Sequence, residues 1–148
     1  MTKFTVAKNA LIPADEKAIR VMAKHRIGDV LDVEVLNPIN QKFNALMMAT
    51  IAKLAAAQGV TTETMKTRLL VMTGRFQMVP LMDHRKALVV DSMSRAHMTQ
   101  DEREQFWNEM CALAEAQILP HIAPREADEI RQMMADERSN QAAEKNYG

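Results

Sequence analysis

Six cations crowd the middle of this chain: Lys66, Arg68, Arg75, Arg85, Lys86 and Arg95, interleaved with Phe76 and short apolar runs. Basic groups on strands and at helix ends can track a phosphate backbone, giving salt-sensitive and largely sequence-independent affinity. Asn37, Asn40, Gln41 and Lys42 add polar donors and a further cation at a strand-to-helix corner, where a helix N-terminus favours anions. The plainer account of the same residues is a solvated basic face. With six aromatics in 148 residues, a stacking platform for single strands is weakly supplied.

Other chemistries find less support. His25, His84, His97 and His121 are scattered, and none forms the i, i+4 pair of a zinc-binding helix. Asp83-His84 with His97 could imitate a metal-dependent nuclease finger, but no cysteine pair or glycine-rich turn frames it. Cys111 sits mid-helix beside Met110, without the helix N-terminus or basic neighbour that lowers a thiol's pKa. Ser92 and Ser94 lack a glycine-flanked elbow, and four glycines in the chain form no phosphate loop or dinucleotide fingerprint. Glu102, Glu104, Glu109 and Glu115 read as solvated helix charges. These patterns argue against an enzyme and imply no cofactor and no metal.

The zero net charge conceals a dipole. Residues 1–100 hold 14 Lys+Arg against 8 Asp+Glu, whereas residues 101–148 hold 5 against 11. A basic body that meets phosphates and an acidic end that meets something else would account for it. The chain is long enough for one domain with a sizeable core. The expected division is a single α+β domain over residues 1–123, followed over 124–148 by an acidic C-terminal helix and frayed tail. No apolar stretch reaches the length of a membrane span, Met1 to Lys8 lacks an apolar signal core, and a lone cysteine forms no internal disulfide. A reducing cytoplasm is the expected compartment, with no membrane partner. Thirteen methionines are expected to be mostly core fillers.

The elements that would position these residues follow from periodicity and punctuation. Thr2 to Val6 predicts a short strand, and Pro13 opens a helix to about His25, which Gly28-Asp29 breaks. Val30 to Leu36, β-branched and partly alternating, is the clearest strand, ended by Asn37-Pro38. Phe43, Leu46, Met47, Ile51 and Leu54 mark the buried face of a helix from about Ile39 to Gln58, stopped at Gly59. Thr61 or Thr62 caps the next, with Met65, Leu69 and Met72 inward and Gly74 as its end. Phe76–Val79 and Lys86–Val90 predict two strands around a turn.

Thr99-Gln100-Asp101-Glu102 fits a capping box launching a helix with Phe106, Met110, Leu113 and Ala114 inward. Pro124 starts a last helix whose stripe, Ala127, Ile130, Met133 and Met134, is thin and in need of cover, with fraying from Asn140. The expected fold is therefore α+β, with a small mixed sheet of three to four strands, about five helices, and the order β-α-β-α-α-β-β-α-α.

Several segments in this order resemble the NinB (Orf) family of phage recombination mediators. They are Asp32-Val33-Glu34-Val35, the corner Asn37-Pro38-Ile39-Asn40-Gln41-Lys42, Thr61-Thr62-Glu63-Thr64-Met65-Lys66, and Val89-Val90-Asp91-Ser92-Met93-Ser94-Arg95 before Met98-Thr99. The likeness covers roughly residues 30–118. A related set of uncharacterised small phage proteins is similar in Leu11-Ile12-Pro13-Ala14-Asp15-Glu16 and Ile27-Gly28-Asp29-Val30. Where the family pattern has an arginine before the corner, and a basic residue and tryptophan after it, this chain has Asn37 and Pro38, then Phe43 and Met47.

The resemblance implies an α+β homodimer that binds single-stranded or partly duplex DNA without sequence preference and contacts single-strand-binding protein. It would assist recombinase loading or strand annealing in the cytoplasm of a host cell. The DNA contacts would come from Asn37, Gln41, Lys42, Lys66, Arg68, Arg75, Arg85, Lys86 and Arg95. Glu126, Glu129, Ile130, Met133 and Met134 would meet a protein partner. The alternative is a phage inhibitor of a host defence complex, acting by protein contact through its acidic C-terminal region, with carboxylates standing in for phosphates.

Overall fold

The computed structural model describes the backbone of residues 2–36 and 38–147, with side chains through Glu137. The chain divides into two compact units, Met1–Glu34 and Val35–Gly148. In the first, β1 (Phe4–Ala7) pairs antiparallel with β2 (Ala10–Pro13), and α1 (Glu16–Met22) follows. Pro13 does not open the helix. It ends β2 opposite Phe4, a strand terminus where its missing N–H does no harm, and Asp15 caps α1 by accepting the Ala18 amide at 2.7 Å.

The segment Val30–Leu36 is not a strand. Its β-propensity is a preference for a half-buried pleated surface, and the segment pairs with no strand among the described residues. Val30, Val33 and Val35 are accordingly 94%, 61% and 74% exposed. Since β1 pairs with β2 instead, the expected sheet of three to four strands is replaced by two separate two-stranded antiparallel sheets among the described residues. The α+β class and the five α-helices stand.

The second unit contains α2 (Gln41–Ala57), α3 (Thr62–Met72), β3 (Phe76–Pro80), β4 (Lys86–Val90), α4 (Gln100–Gln117), a 3-10 turn (Leu119–His121) and α5 (Pro124–Tyr147). Asn40 caps α2 by accepting the Phe43 amide, and Thr61 caps α3 by accepting the Thr64 amide, both at 3.1 Å. Gly59 and Gly74, with φ of +68° and +79°, supply the left-handed residue just past each helix. The capping box on α4 is complete: Thr99 accepts from the Glu102 amide at 3.2 Å, and Glu102 accepts from the Thr99 amide at 2.9 Å.

One core joins these helices. Phe43, Met47, Ile51 and Leu54 of α2 meet Met65, Leu69 and Leu70 of α3, Phe106, Trp107 and Met110 of α4, and Ala127, Ile130 and Met134 of α5. Met72, expected inward, is 50% exposed, because Leu69 and Leu70 take the inner face of α3. Methionines also stand outside the core: Met78 and Met82, on or beside the β3–β4 hairpin, are exposed. The last helix is not thinly docked. Its stripe packs on α2 within the chain, and the helix continues past Asn140 to Tyr147. Among the described residues no single helix is long and apolar enough to cross a membrane.

Candidate functional site

The β3–β4 hairpin is a two-stranded ribbon in the register Phe76↔Val90, Met78↔Leu88 and Pro80↔Lys86. Its base is anchored by Val90 against the core. Beyond that base both faces are open, with Met78, Val79, Leu88 and Val89 between 39% and 50% exposed. His84, at φ 67°, turns the tip, where the Leu81 amide donates to the Arg85 carbonyl. Lys86 and Arg85 lie at this tip, and Arg85 is held by Asp83, whose carboxyl it keeps below its ordinary range.

The remaining sequence-predicted cations are dispersed. Arg68 is exposed on α3, and Lys66 on the same helix pairs with Glu63 at 2.9 Å. Gln41 and Lys42 are exposed in the first turn of α2. Arg75 lies over the Phe106 ring at 5.2 Å and pairs with Glu109 of α4. Asn37 lies outside the described residues. Lys66 and Arg95 do come together, at an open cavity of about 660 Å³.

The residue that sequence reasoning missed is Arg103, at the wall of that cavity and only 3% exposed. It sits in an acidic run, Asp101-Glu102-Arg103-Glu104, and looks like one more solvated charge. The available signal was its spacing: Arg103, Phe106, Trp107 and Met110 recur at i, i+3, i+4 and i+7, which places the guanidinium on the apolar stripe. Its Nη1 donates to Asn44 Oδ1 at 2.9 Å and its Nη2 to the Met93 carbonyl. Burial, and secondarily the charge of Arg95, pull its pKa below the ordinary arginine value.

A second cavity, of about 500 Å³, adjoins the Arg75–Glu109 pair and includes His97, Asp91 and Glu102. Ser94 Oγ and His97 Nδ1 are 2.8 Å apart in the turn that leads to α4. Among the described residues no three His, Cys, Asp or Glu side chains are grouped to hold a metal ion. Cys111 is buried in the core.

The hydrogen bond from Arg75 holds the Glu109 carboxyl below its usual range. A carboxyl depressed in the folded state contributes stability above its unfolded pKa, and that contribution is lost as pH falls through the folded value. Glu109→Gln should therefore cost stability at neutral pH and progressively less below about pH 4.5. With the Glu109 side chain 41% exposed, the loss should stay under about 1 kcal/mol. Urea unfolding of both proteins at neutral and acidic pH checks this, and a gap that widens toward acid contradicts it.

Of the residues predicted to bind a protein partner, Ile130 and Met134 are 1% and 4% exposed in the chain's own core, Met133 is half-buried, and Glu126 and Glu129 are on the surface. The acidic face of α5 is partly neutralised from within. Glu129 pairs with Lys53 at 3.0 Å, and Arg131 pairs with both Glu115 and Asp128. No family model matches the sequence, and no curated protein or solved structure matches it either.

Proposed function

We propose that this chain is a non-enzymatic DNA-binding accessory protein that grips phosphates without reading sequence, the exposed β3–β4 ribbon being its principal contact. The observation that carries this is the ribbon itself: open on both faces past its base, and basic at its tip through Lys86, beside an Arg85 that Asp83 holds. A two-stranded ribbon can lie along a duplex groove with its basic tip on backbone phosphates and the fully exposed Met82 against sugars, contacts that position without specifying. Partly duplex DNA is accordingly the substrate form we favour. The role implied by the likeness to recombination mediators belongs to the same proposal. It comprises a homodimer acting in a host cytoplasm, assistance to recombinase loading or strand annealing, and contact with single-strand-binding protein.

Several of the cluster's cations are already committed to Glu63, Asp83 or Glu109, so the footprint should be smaller than the raw charge surplus implies. If roughly three phosphates are neutralised, log affinity should fall with log salt at a slope of about −3 on duplex DNA. Lys86→Ala should weaken binding equally for unrelated sequences and reduce that slope by about 1. Fluorescence anisotropy of labelled DNA over a salt series measures both. A salt-independent affinity, or no binding at low salt, would remove the proposal.

A further inference from the structure

Two hydrogen bonds fix which backbone groups of the β3–β4 ribbon face outward. The Asp91 amide donates to the Arg75 carbonyl at 3.0 Å, and the Leu81 amide donates to the Arg85 carbonyl at 2.7 Å. In an antiparallel pair, hydrogen-bonded and non-hydrogen-bonded positions alternate. With Phe76 opposite Val90 and Pro80 opposite Lys86, Gln77 and Val79 therefore turn their amides and carbonyls to β4. Those of Phe76 and Met78, and the Pro80 carbonyl, turn the other way, where no strand among the described residues receives them. Pro80 has no N–H to lose at such a position.

That edge lacks the usual protection. Phe76–Pro80 carries no charge and runs in unbroken register, whereas an edge strand is ordinarily blunted by lysines or a bulge. Gln77, Met78, Val79 and Pro80 are all exposed. A two-stranded ribbon is marginal in water and gains from a further strand. The opposite edge is less available, since β4 lies beside α3 and Val90 is anchored in the core.

The free edge is complementary to itself. Turned about a two-fold axis at Met78, a second β3 sets Met78 opposite Met78 and Phe76 opposite Pro80. Each Met78 amide then donates to the other's carbonyl, and each Phe76 amide donates to a Pro80 carbonyl. The same pairing brings each hairpin turn to the base of the other β3, which borders the cavity of about 500 Å³. With Arg75 and Glu109 cancelling, Asp91 and Glu102 of that cavity have no ion-pair partner among the described residues. Lys86 beside the turn is likewise unpaired there, so the charges match. From this symmetry we infer that β3 is a self-association edge, joining two copies into one four-stranded antiparallel sheet in the order β4-β3-β3-β4. This interface deepens the homodimer of the reading above and rests on it. The second copy completes the ribbon site, because the joined sheet carries a basic tip at each end and keeps both faces open.

Sedimentation equilibrium should report a dimer, and Met78→Pro should weaken it by roughly a hundredfold, having deleted both hydrogen bonds at the axis. Because Met78 faces outward, the substitution removes no hydrogen bond within the hairpin. Met78→Lys, which opposes like charges across the axis, decides the question if circular dichroism shows the proline variant unfolded.

Cysteine pairing reads the register. Gln77 of one copy and Val79 of the other form a non-hydrogen-bonded pair, with Cα atoms about 4.5 Å apart and within disulfide reach. Under oxidation, a mixture of Gln77→Cys and Val79→Cys chains should cross-link several-fold faster than either alone. The native Cys111 is buried and does not compete. A dimer undiminished in folded Met78→Pro or Met78→Lys, or a mixture that cross-links no faster, overturns this interface and leaves the homodimer standing. A concentration-independent monomer removes both. DNA affinity and its salt slope are read separately on the parent chain, so failure of the phosphate-gripping reading is distinguishable from failure of the interface.

Discussion

Removing residues 124–148 should abolish cooperative unfolding of the second unit, leaving a chain that binds hydrophobic dyes and melts without a sharp transition. The reason lies in what α5 contributes to the shared core. Ala127, Ile130 and Met134 are between 1% and 4% exposed and join the cluster that holds α2, α3 and α4 together. Losing a buried Ile or Met side chain costs about 2–5 kcal/mol each, and here a whole face of α2 would be uncovered with them. That total is comparable with the roughly 5–15 kcal/mol that keeps a domain folded. The exposed Lys53–Glu129 pair adds little to this sum.

Circular dichroism melting and urea titration of the truncated chain provide the test. A sharp transition within about 1 kcal/mol of the intact protein would show that α5 is an appendage. The result also governs how the acidic end can be tested for repelling DNA or recruiting a partner. Deletion removes the core along with the charges, so charge reversal at exposed Glu126 is the informative change.

The helical half of the fold was legible because its signals are local. Thr61 and Thr99 each satisfy an amide three residues onward, and Gly59 and Gly74 mark ends that need a left-handed residue. These depend on no distant partner. The sheet was harder because strand identity is a pairing property. Val30–Leu36 has the composition of a strand but pairs with none among the described residues, whereas Ala10–Pro13 pairs with Phe4–Ala7 because the chain doubles back through Lys8-Asn9.

The site divided along the same line. Arg85 and Lys86 could be placed on a hairpin tip from sequence, since hairpins are punctuated locally. Their open surroundings could not, because exposure depends on what the other helices cover. Arg75 and Lys66 looked like available cations and turned out to be committed to Glu109 and Glu63. The Glu63 pairing is i, i+3 on one helix and could have been anticipated, but the Glu109 pairing spans two elements. Arg103 was hidden by its acidic neighbours, although its place on the apolar period was visible.

Trp107→Ala should be the most damaging single substitution in the chain, at about 3–5 kcal/mol. Trp107 is fully buried on α4 and meets Phe43 of α2 edge-on, with ring centroids 5.9 Å apart and planes at 71°. Such a pair adds about 0.5–1.5 kcal/mol beyond the area it buries. Truncation would leave a cavity where α2 and α4 meet, one turn from the Arg103–Asn44 hydrogen bond that also joins them.

Trp107→Phe should behave differently. It retains a ring for Phe43 to pack against and deletes the indole Nε1–H, which is buried without an acceptor among the described residues. Leaving such a donor unmet costs about 1–3 kcal/mol, so its removal offsets part of the lost volume. The net cost of the phenylalanine variant should therefore fall below about 1.5 kcal/mol. Urea unfolding followed by circular dichroism, with tryptophan emission no longer available, ranks the two variants. A phenylalanine variant as unstable as the alanine one would mean that the full indole shape holds the helices apart. An alanine variant within 1 kcal/mol of the parent would place the core elsewhere.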